Sequence, residues 1–250
     1  MQRYFVKQEQ FDKPLAKVTI NGEDVGHIVK VMRSSVGDRF ITCDENGECY
    51  LSRIIELDKE RVICTLEEKI EEDRELPVRV TIAQGLPKGD KMDLIIQKGT
   101  ELGAHAFIPF SSSRTIVQLD EKKEQKRLER WGKIAKEAAE QSHRGFIPHI
   151  KRISSLRQIF ASASQYDLAL IAYENEKTTP LSQPLQKITA GARILLIIGP
   201  EGGFAEEEVK QAMCHRIEPV MLGRRILRTE TAGLYGLSCI SYDFEQLGGR

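Results

Sequence analysis

Three short segments of this chain combine residue types that could do chemistry: Ala172-Tyr173-Glu174-Asn175, Gly199-Pro200-Glu201-Gly202-Gly203-Phe204, and the run from Leu222-Gly223-Arg224-Arg225 through Ile226-Leu227-Arg228-Thr229-Glu230-Thr231-Ala232. The glycine-rich segment invites a phosphate-binding reading but does not satisfy it. It is not GxGxxG, and it lacks the Gly-Lys-Ser/Thr ending of a P-loop. The helix expected after it opens on Glu206-Glu207-Glu208. Those carboxylates already complement a helix N-terminus and would repel a phosphate placed there. A nucleoside without phosphates, or a ligand with a positive centre, suits the loop better, the glycines letting backbone groups approach a flat ring closely. Gly202-Gly203 taken alone reads equally well as a turn ending a strand. In the third segment Arg224, Arg225 and Arg228 concentrate positive charge. There Thr229 to Thr231 also reads as a helix N-cap with an acid in the first turn.

The elements that must position these segments alternate strand and helix. Strands are expected at Val78–Ala83, Ala106–Pro109, Leu168–Ala172, Ile194–Ile198 and Pro219–Leu222. Helices are expected at Asp90–Leu102, Glu121–Gln141, Leu156–Ala163, Glu206–Cys214 and from Thr229 onward. Such alternation predicts an α/β parallel sheet, and the continuous apolar run Ile194–Ile198 predicts a strand buried on both faces. The three segments then fall beyond the carboxyl ends of strands, where open parallel sheets bind ligands. The first seventy residues differ. Short strands at Arg39–Cys43, Cys49–Leu57 and Arg61–Leu66, an Asn46-Gly47 turn and one helix around His27–Met32 predict a small β-barrel. The charged, unpatterned run Glu67–Glu75 is read as the linker, giving domains over 1–70 and 74–250.

The chain has 250 residues, with 37 basic and 37 acidic side chains. Zero net charge excludes a grossly basic nucleic-acid binder of the histone type, though not a local basic face. Residues 1–72 carry a net −4 and residues 73–250 a net +4. Part of that positive charge lies on the expected helix 121–141, where interleaved Lys and Glu also suit an ordinary solvated face. Five cysteines without a CxxC pair suggest neither a disulfide framework nor a zinc site, and point to a reducing cytoplasm. No signal peptide is visible, and no apolar stretch approaches the roughly 20 residues of a membrane helix.

Taken together, Gly199-Pro200-Glu201-Gly202-Gly203-Phe204, Leu222-Gly223 and Ile226-Leu227-Arg228-Thr229-Glu230-Thr231-Ala232 resemble the SPOUT methyltransferases, and most closely the ribosomal small subunit methyltransferase E family. Further matches are Gln84-Gly85-Leu86-Pro87-Lys88-Gly89-Asp90-Lys91-Met92, Gln97 through Gly103, Glu137 through Ser142, and His27 through Arg33 with Gly37-Asp38. Met32 stands where the family pattern has leucine, a difference of packing only. The resemblance covers nearly the whole chain. It implies a PUA-like β-barrel, RNA-binding, followed by an α/β domain tied in a deep trefoil knot, a homodimer, and S-adenosylmethionine as cofactor without any metal. The implied reaction is methylation of N3 of one uridine of 16S rRNA in the small ribosomal subunit.

Carried over by position, the resemblance places the cofactor against Tyr173, Glu174, Gly199, Glu201, Gly202, Gly203, Leu222, Gly223, Ile226, Leu227 and Thr231. Glu201 could favour a sulfonium or merely cap its own loop. Uridine N3 must lose a proton before it attacks, so the reaction needs a proton acceptor or a group that stabilises the anion. Arg228, Glu230 and Arg144 are the candidates; His143 and His149 are weaker ones. The target base must leave its stack, and Arg3, Arg33, Lys88, Lys91, Arg114, Arg224 and Arg225 are the candidate phosphate positioners. Three alternatives stay open: ribose 2′-O-methylation of another RNA, a non-catalytic RNA-binding assembly factor, and a nucleotide hydrolase weakened by the missing P-loop lysine.

Overall fold

The computed structural model describes residues 1–71, 74–112 and 121–248. Two compact units emerge, one formed by Met1–Glu75 with Ala139–Phe146, the other by Leu76–Ala138 with Ile147–Arg250.

In the first unit β1 (Arg3–Phe5), β2 (Phe11–Asp12), β3 (Lys17–Asn21), β4 (Arg39–Cys43), β5 (Cys49–Leu57) and β6 (Arg61–Ile70) form a curled sheet in the order β1-β4-β5-β6-β3-β2. One face is buried, so core residues alternate: Val18 and Ile20 on β3, and Val62 and Cys64 on β6, pack with Tyr4, Phe40 and Ile54. The expected helix is a short α1 (Glu23–Gly26) running into a π-helical turn, His27–Val31. The expected linker is partly strand, because β6 continues to Ile70. Two of its charges have partners elsewhere in this sheet: Glu67 pairs with Arg39 of β4 and Arg53 of β5, and Lys69 with Glu48 at the β4–β5 turn.

A second departure concerns the cysteines. Cys43 and Cys49 face each other across the β4–β5 hairpin and are joined in a disulfide, with Cα atoms 4.1 Å apart. The absence of CxxC spacing did not reveal this pair. The turn around Asn46-Gly47, with Gly47 at φ +84, folds six intervening bonds of chain back on themselves and makes the two residues neighbours. Cys64, Cys214 and Cys239 are free.

The second unit holds β7 (Arg79–Gly85), α2 (Lys91–Glu101), β8 (Ala106–Ser111), β9 (His149–Ile150), β10 (Ser154–Ser155), α4 (Leu156–Ser162), β11 (Leu168–Ala172), α5 (Ser182–Leu185), β12 (Arg193–Ile198), α6 (Glu206–Cys214), β13 (Glu218–Val220) and α7 (Thr229–Glu245); α3 (Glu121–Gln141) begins here and ends in the first unit. Its sheet runs β10-β8-β7-β12-β11-β13 with β9 beside β8, and every pairing is parallel. Strand β12 is the centre. Ile194, Leu196 and Ile198 enter a core with Met92, Ile95 and Ile96 of α2 and Leu237, Ile240 and Phe244 of α7. Leu195 and Ile197 enter the opposite core, with Ile159 and Phe160 of α4 and Val209 and Ala212 of α6. Helices on both faces explain why this strand reads as an unbroken apolar run. No helix among the described residues is long and apolar enough to cross a membrane.

Candidate functional site

The parallel strands deliver their following loops to one end of the sheet. There the segments after β11, β12 and β13 enclose a cavity of about 430 Å³. Tyr173 and Glu174 form one side, Gly199, Pro200, Glu201, Gly203 and Phe204 another, and the run Met221–Glu230 most of the remainder. Two further lining residues, Ile198 and Met221, lie outside the three segments that the sequence singles out, and Ala172 borders the cavity at the start of the first. The last residues of β11 and β12 stand at the cavity by register, which the strand ends in the sequence could have signalled.

Close backbone contact sets the loop after β12. A Cβ on Gly85 would lie 2.5 Å from the Pro200 nitrogen, so only glycine lets the end of β7 meet this loop. Gly203, at φ +61, turns the chain toward Glu174, whose Oε1 would lie 3.5 Å from an added Cβ. A side-chain tie holds the loop after β13: the Thr229 hydroxyl donates to the Gly199 carbonyl at 2.6 Å and accepts from Gln84 Nε2 at 2.8 Å. Thr229 thus does not cap its own helix. Arg228 occupies the N-cap position of α7 with no side-chain cap, its carbonyl receiving the Thr231 and Ala232 N–H groups.

Charge around the cavity falls into two sets. Lys91, at the start of α2, contacts Glu201 Oε1 at 3.0 Å and stands 3.3 Å from Glu230 Oε2. The Lys88 N–H also donates to Glu201. Burial pushes the Glu201 carboxyl up, but the Lys91 ammonium and the backbone N–H groups of Glu201 and Lys88 outweigh it and hold it below the ordinary value. The same pairing, Glu201 foremost, raises Lys91. The second set is Arg224, Arg225 and Arg228, all exposed, all lining the cavity, and none in an ion pair among the described residues. Between them Ile226 is 85% exposed.

The structure therefore gathers most of the expected cofactor residues, Tyr173, Glu174, Gly199, Glu201, Gly203, Leu222, Gly223, Ile226 and Leu227, around one cavity with Arg228 and Glu230. Gly202 and Thr231 do not border it. Lys91 borders it, but its ammonium is taken up by two carboxylates, so it is no free phosphate contact. Lys88 and Arg33 are exposed, the latter at φ +53. Two expectations are overturned by burial. Arg3, 4% exposed, donates to the Arg144 carbonyl at 2.5 Å. Arg144, 3% exposed, makes a bidentate pair with Glu75 within the first unit and does not line the cavity. A guanidinium enclosed in such a pair is not presented to a phosphate or a uridine. Arg114 lies outside the described residues.

Two family models match the chain, an RNA methyltransferase domain over residues 74–241 and an RNA methyltransferase PUA domain over residues 20–67. Fold and matches together define an RNA methyltransferase with an N-terminal PUA-like unit. The chain is 46% identical to the ribosomal RNA small subunit methyltransferase E of Bacillus subtilis, across all of this chain and 99% of that one. The Synechocystis protein of the same name is 35% identical over 90% of this chain and 73% of its own. The crystal structure of the Neisseria gonorrhoeae enzyme of that name, bound to S-adenosyl methionine, superposes with a TM-score of 0.85 at 30% identity, covering 100% of this chain and 98% of the other. The chain belongs to the ribosomal RNA small subunit methyltransferase E family.

Proposed function

We propose that this protein transfers a methyl group from S-adenosylmethionine to N3 of one uridine of 16S rRNA in the small ribosomal subunit. The observation that carries the reading is the cavity itself: an apolar and backbone-lined space at the strand ends, with exposed arginines along its edge that form no ion pair among the described residues. The lining fits the cofactor. Its volume lies within the roughly 300–1,000 Å³ usual for ligand sites. Ile198, Leu222 and Leu227 offer apolar surface for an adenine, Gly199 and Gly223 bare backbone, and Glu174 an anionic group suited to a ligand with a positive centre. When bound, S-adenosylmethionine supplies an electrophilic methyl group on a sulfonium.

The chain's own residues do the rest. Backbone at Gly199 and Gly223 orients the nucleoside. Arg228, exposed at the cavity edge, stabilises the negative charge that reaches uridine O2 and O4 as N3 gives up its proton. Glu230, two residues on, accepts that proton. Arg224 and Arg225 bind phosphates, which positions the RNA without reading its sequence. Arg144 has no part in this scheme.

The reading extends to the trefoil knot and to assembly as a homodimer. The second unit leaves Tyr235 and Tyr242 of α7 exposed, with Leu247 and Ile226, a set of large apolar groups that a second copy would cover. Calorimetric titration with S-adenosylmethionine tests the cofactor assignment. Heat of binding is expected for the natural sequence and its loss for Gly203→Trp, while binding undiminished in that variant would remove the loop from the site.

A further inference from the structure

The geometry points to a positioning relay, Gln84 to Thr229 to Gly199, that couples the loop proposed to hold the cofactor to the turn proposed to face the uridine. Its kinetic consequence rests on the methyltransferase reading above; its geometry does not.

Gln84 is fully buried at the end of β7 and does not line the cavity. Its Nε2 donates to the Gly85 carbonyl at 3.1 Å and to the Thr229 hydroxyl at 2.8 Å. The carbonyl can only accept, so the amide must present its nitrogen on this side. The Thr229 oxygen then accepts a hydrogen bond from Gln84 and turns its own O–H toward the Gly199 carbonyl, 2.6 Å away. A hydroxyl that would otherwise rotate has one direction.

This orientation leaves Gln84 Oε1 buried without a hydrogen-bond partner. Buried acceptors are nearly always paired, and an exception calls for a compensating role. An apolar side chain of the same size would leave no such orphan. The amide is retained where it fixes the bond between the Thr229 and Gly199 loops, Thr229 itself lying 145 residues along the sequence. The next residue reinforces the anchor, since Gly85 meets Pro200 with no room for a Cβ. Thr229 is flanked by Arg228 and Glu230, so fixing its hydroxyl against Gly199 sets both of them relative to the loop opposite. In-line transfer depends on that alignment, and a displacement of an ångström is enough to slow it by orders of magnitude.

Gln84→Met and Thr229→Val remove the relay at nearly constant volume, and Thr229→Ser restores its hydroxyl. In amide hydrogen exchange of the ligand-free full-length protein, both removals should speed exchange in 199–204 and 222–232 by about tenfold, with the core amides of β12 unchanged. With small subunits as substrate, kcat should fall by at least about tenfold while the Kd for S-adenosylmethionine moves by less than about threefold, and Thr229→Ser should recover most of the rate. Exchange in both loops equal to that of the natural sequence would overturn the relay, as would a loss of kcat matched by an equal loss of cofactor affinity. Should the natural sequence fail to methylate small subunits, the functional reading falls, and the exchange measurement still decides the relay.

Discussion

Arginine meets opposite fates in the two units. In the first, Arg144 grips Glu75 through Nε and Nη2 of its guanidinium and lends its carbonyl to Arg3, both arginines being almost wholly enclosed. In the second, Arg224, Arg225 and Arg228 stand in the open with no acidic partner among the described residues. The cavity loops are held instead by neutral devices: a glycine with no room for a methyl group, and a hydroxyl relay. A site whose walls are fixed by backbone contact and neutral hydrogen bonds keeps its cations for a ligand. A joint fixed by a buried ion pair has none to offer. Zero net charge therefore conceals the feature that matters, which is which positive charges are already answered.

Substitutions can break this contrast, beginning with the greatest effect. Arg144→Met should destabilise the full chain by about 3 kcal/mol, because it takes a buried guanidinium and its hydrogen bonds away from the partly buried Glu75 carboxylate. Urea unfolding measures this, and a loss below about 1 kcal/mol would show the pair to be ornamental. Gly85→Ala, which sets a methyl against Pro200, should cost about 2 kcal/mol and weaken cofactor binding, read by thermal unfolding and calorimetry. Full stability and full binding in that variant would remove backbone contact as the loop's support.

Replacing Arg224 and Arg225 together by alanine should leave stability within about 0.5 kcal/mol. The slope of log affinity for RNA against log salt should flatten by about 1.5, two phosphates' worth. An unchanged slope would place those arginines off the RNA. Lys91 qualifies the contrast, being the one cation at the cavity shown here to be answered internally. Glu201 is held below its ordinary value of 4.5, so its contribution is present above that pH and fades as pH falls through the lowered value. Lys91→Met should shrink this acid-side loss, the smallest of these effects, seen as a flatter dependence of unfolding on pH on the acid side of 4.5.

The sequence made the second unit's strands legible because burial on both faces leaves an apolar run such as Ile194–Ile198 that no competing pattern imitates. Loops following those strands had to carry the site, and most of the expected cofactor residues line the cavity for that reason. What stayed hidden depended on partners far away in the chain. Arg3 and Arg144 read as surface cations because nothing local shows that 141 residues later one will close over the other. Glu67 and Lys69 read as linker charges, although Glu67 meets Arg53 on the neighbouring strand β5 and Lys69 meets Glu48 at the β4–β5 turn. Gln84 looked like part of a motif without a task, since its partner Thr229 lies on the last helix. Cys43 and Cys49 were obscured by counting, where the geometry of the hairpin joins them.

The methyl transfer proposed for this cavity, to N3 of one uridine in the small subunit, leaves a product that can be mapped. Mass spectrometric mapping of 16S rRNA from small subunits incubated with S-adenosylmethionine, with and without the protein, tests it most directly. A single new 3-methyluridine that depends on the protein and disappears with Arg228→Ala is the predicted result. A ribose 2′-O-methyl group, or rRNA unchanged by the protein, would contradict it.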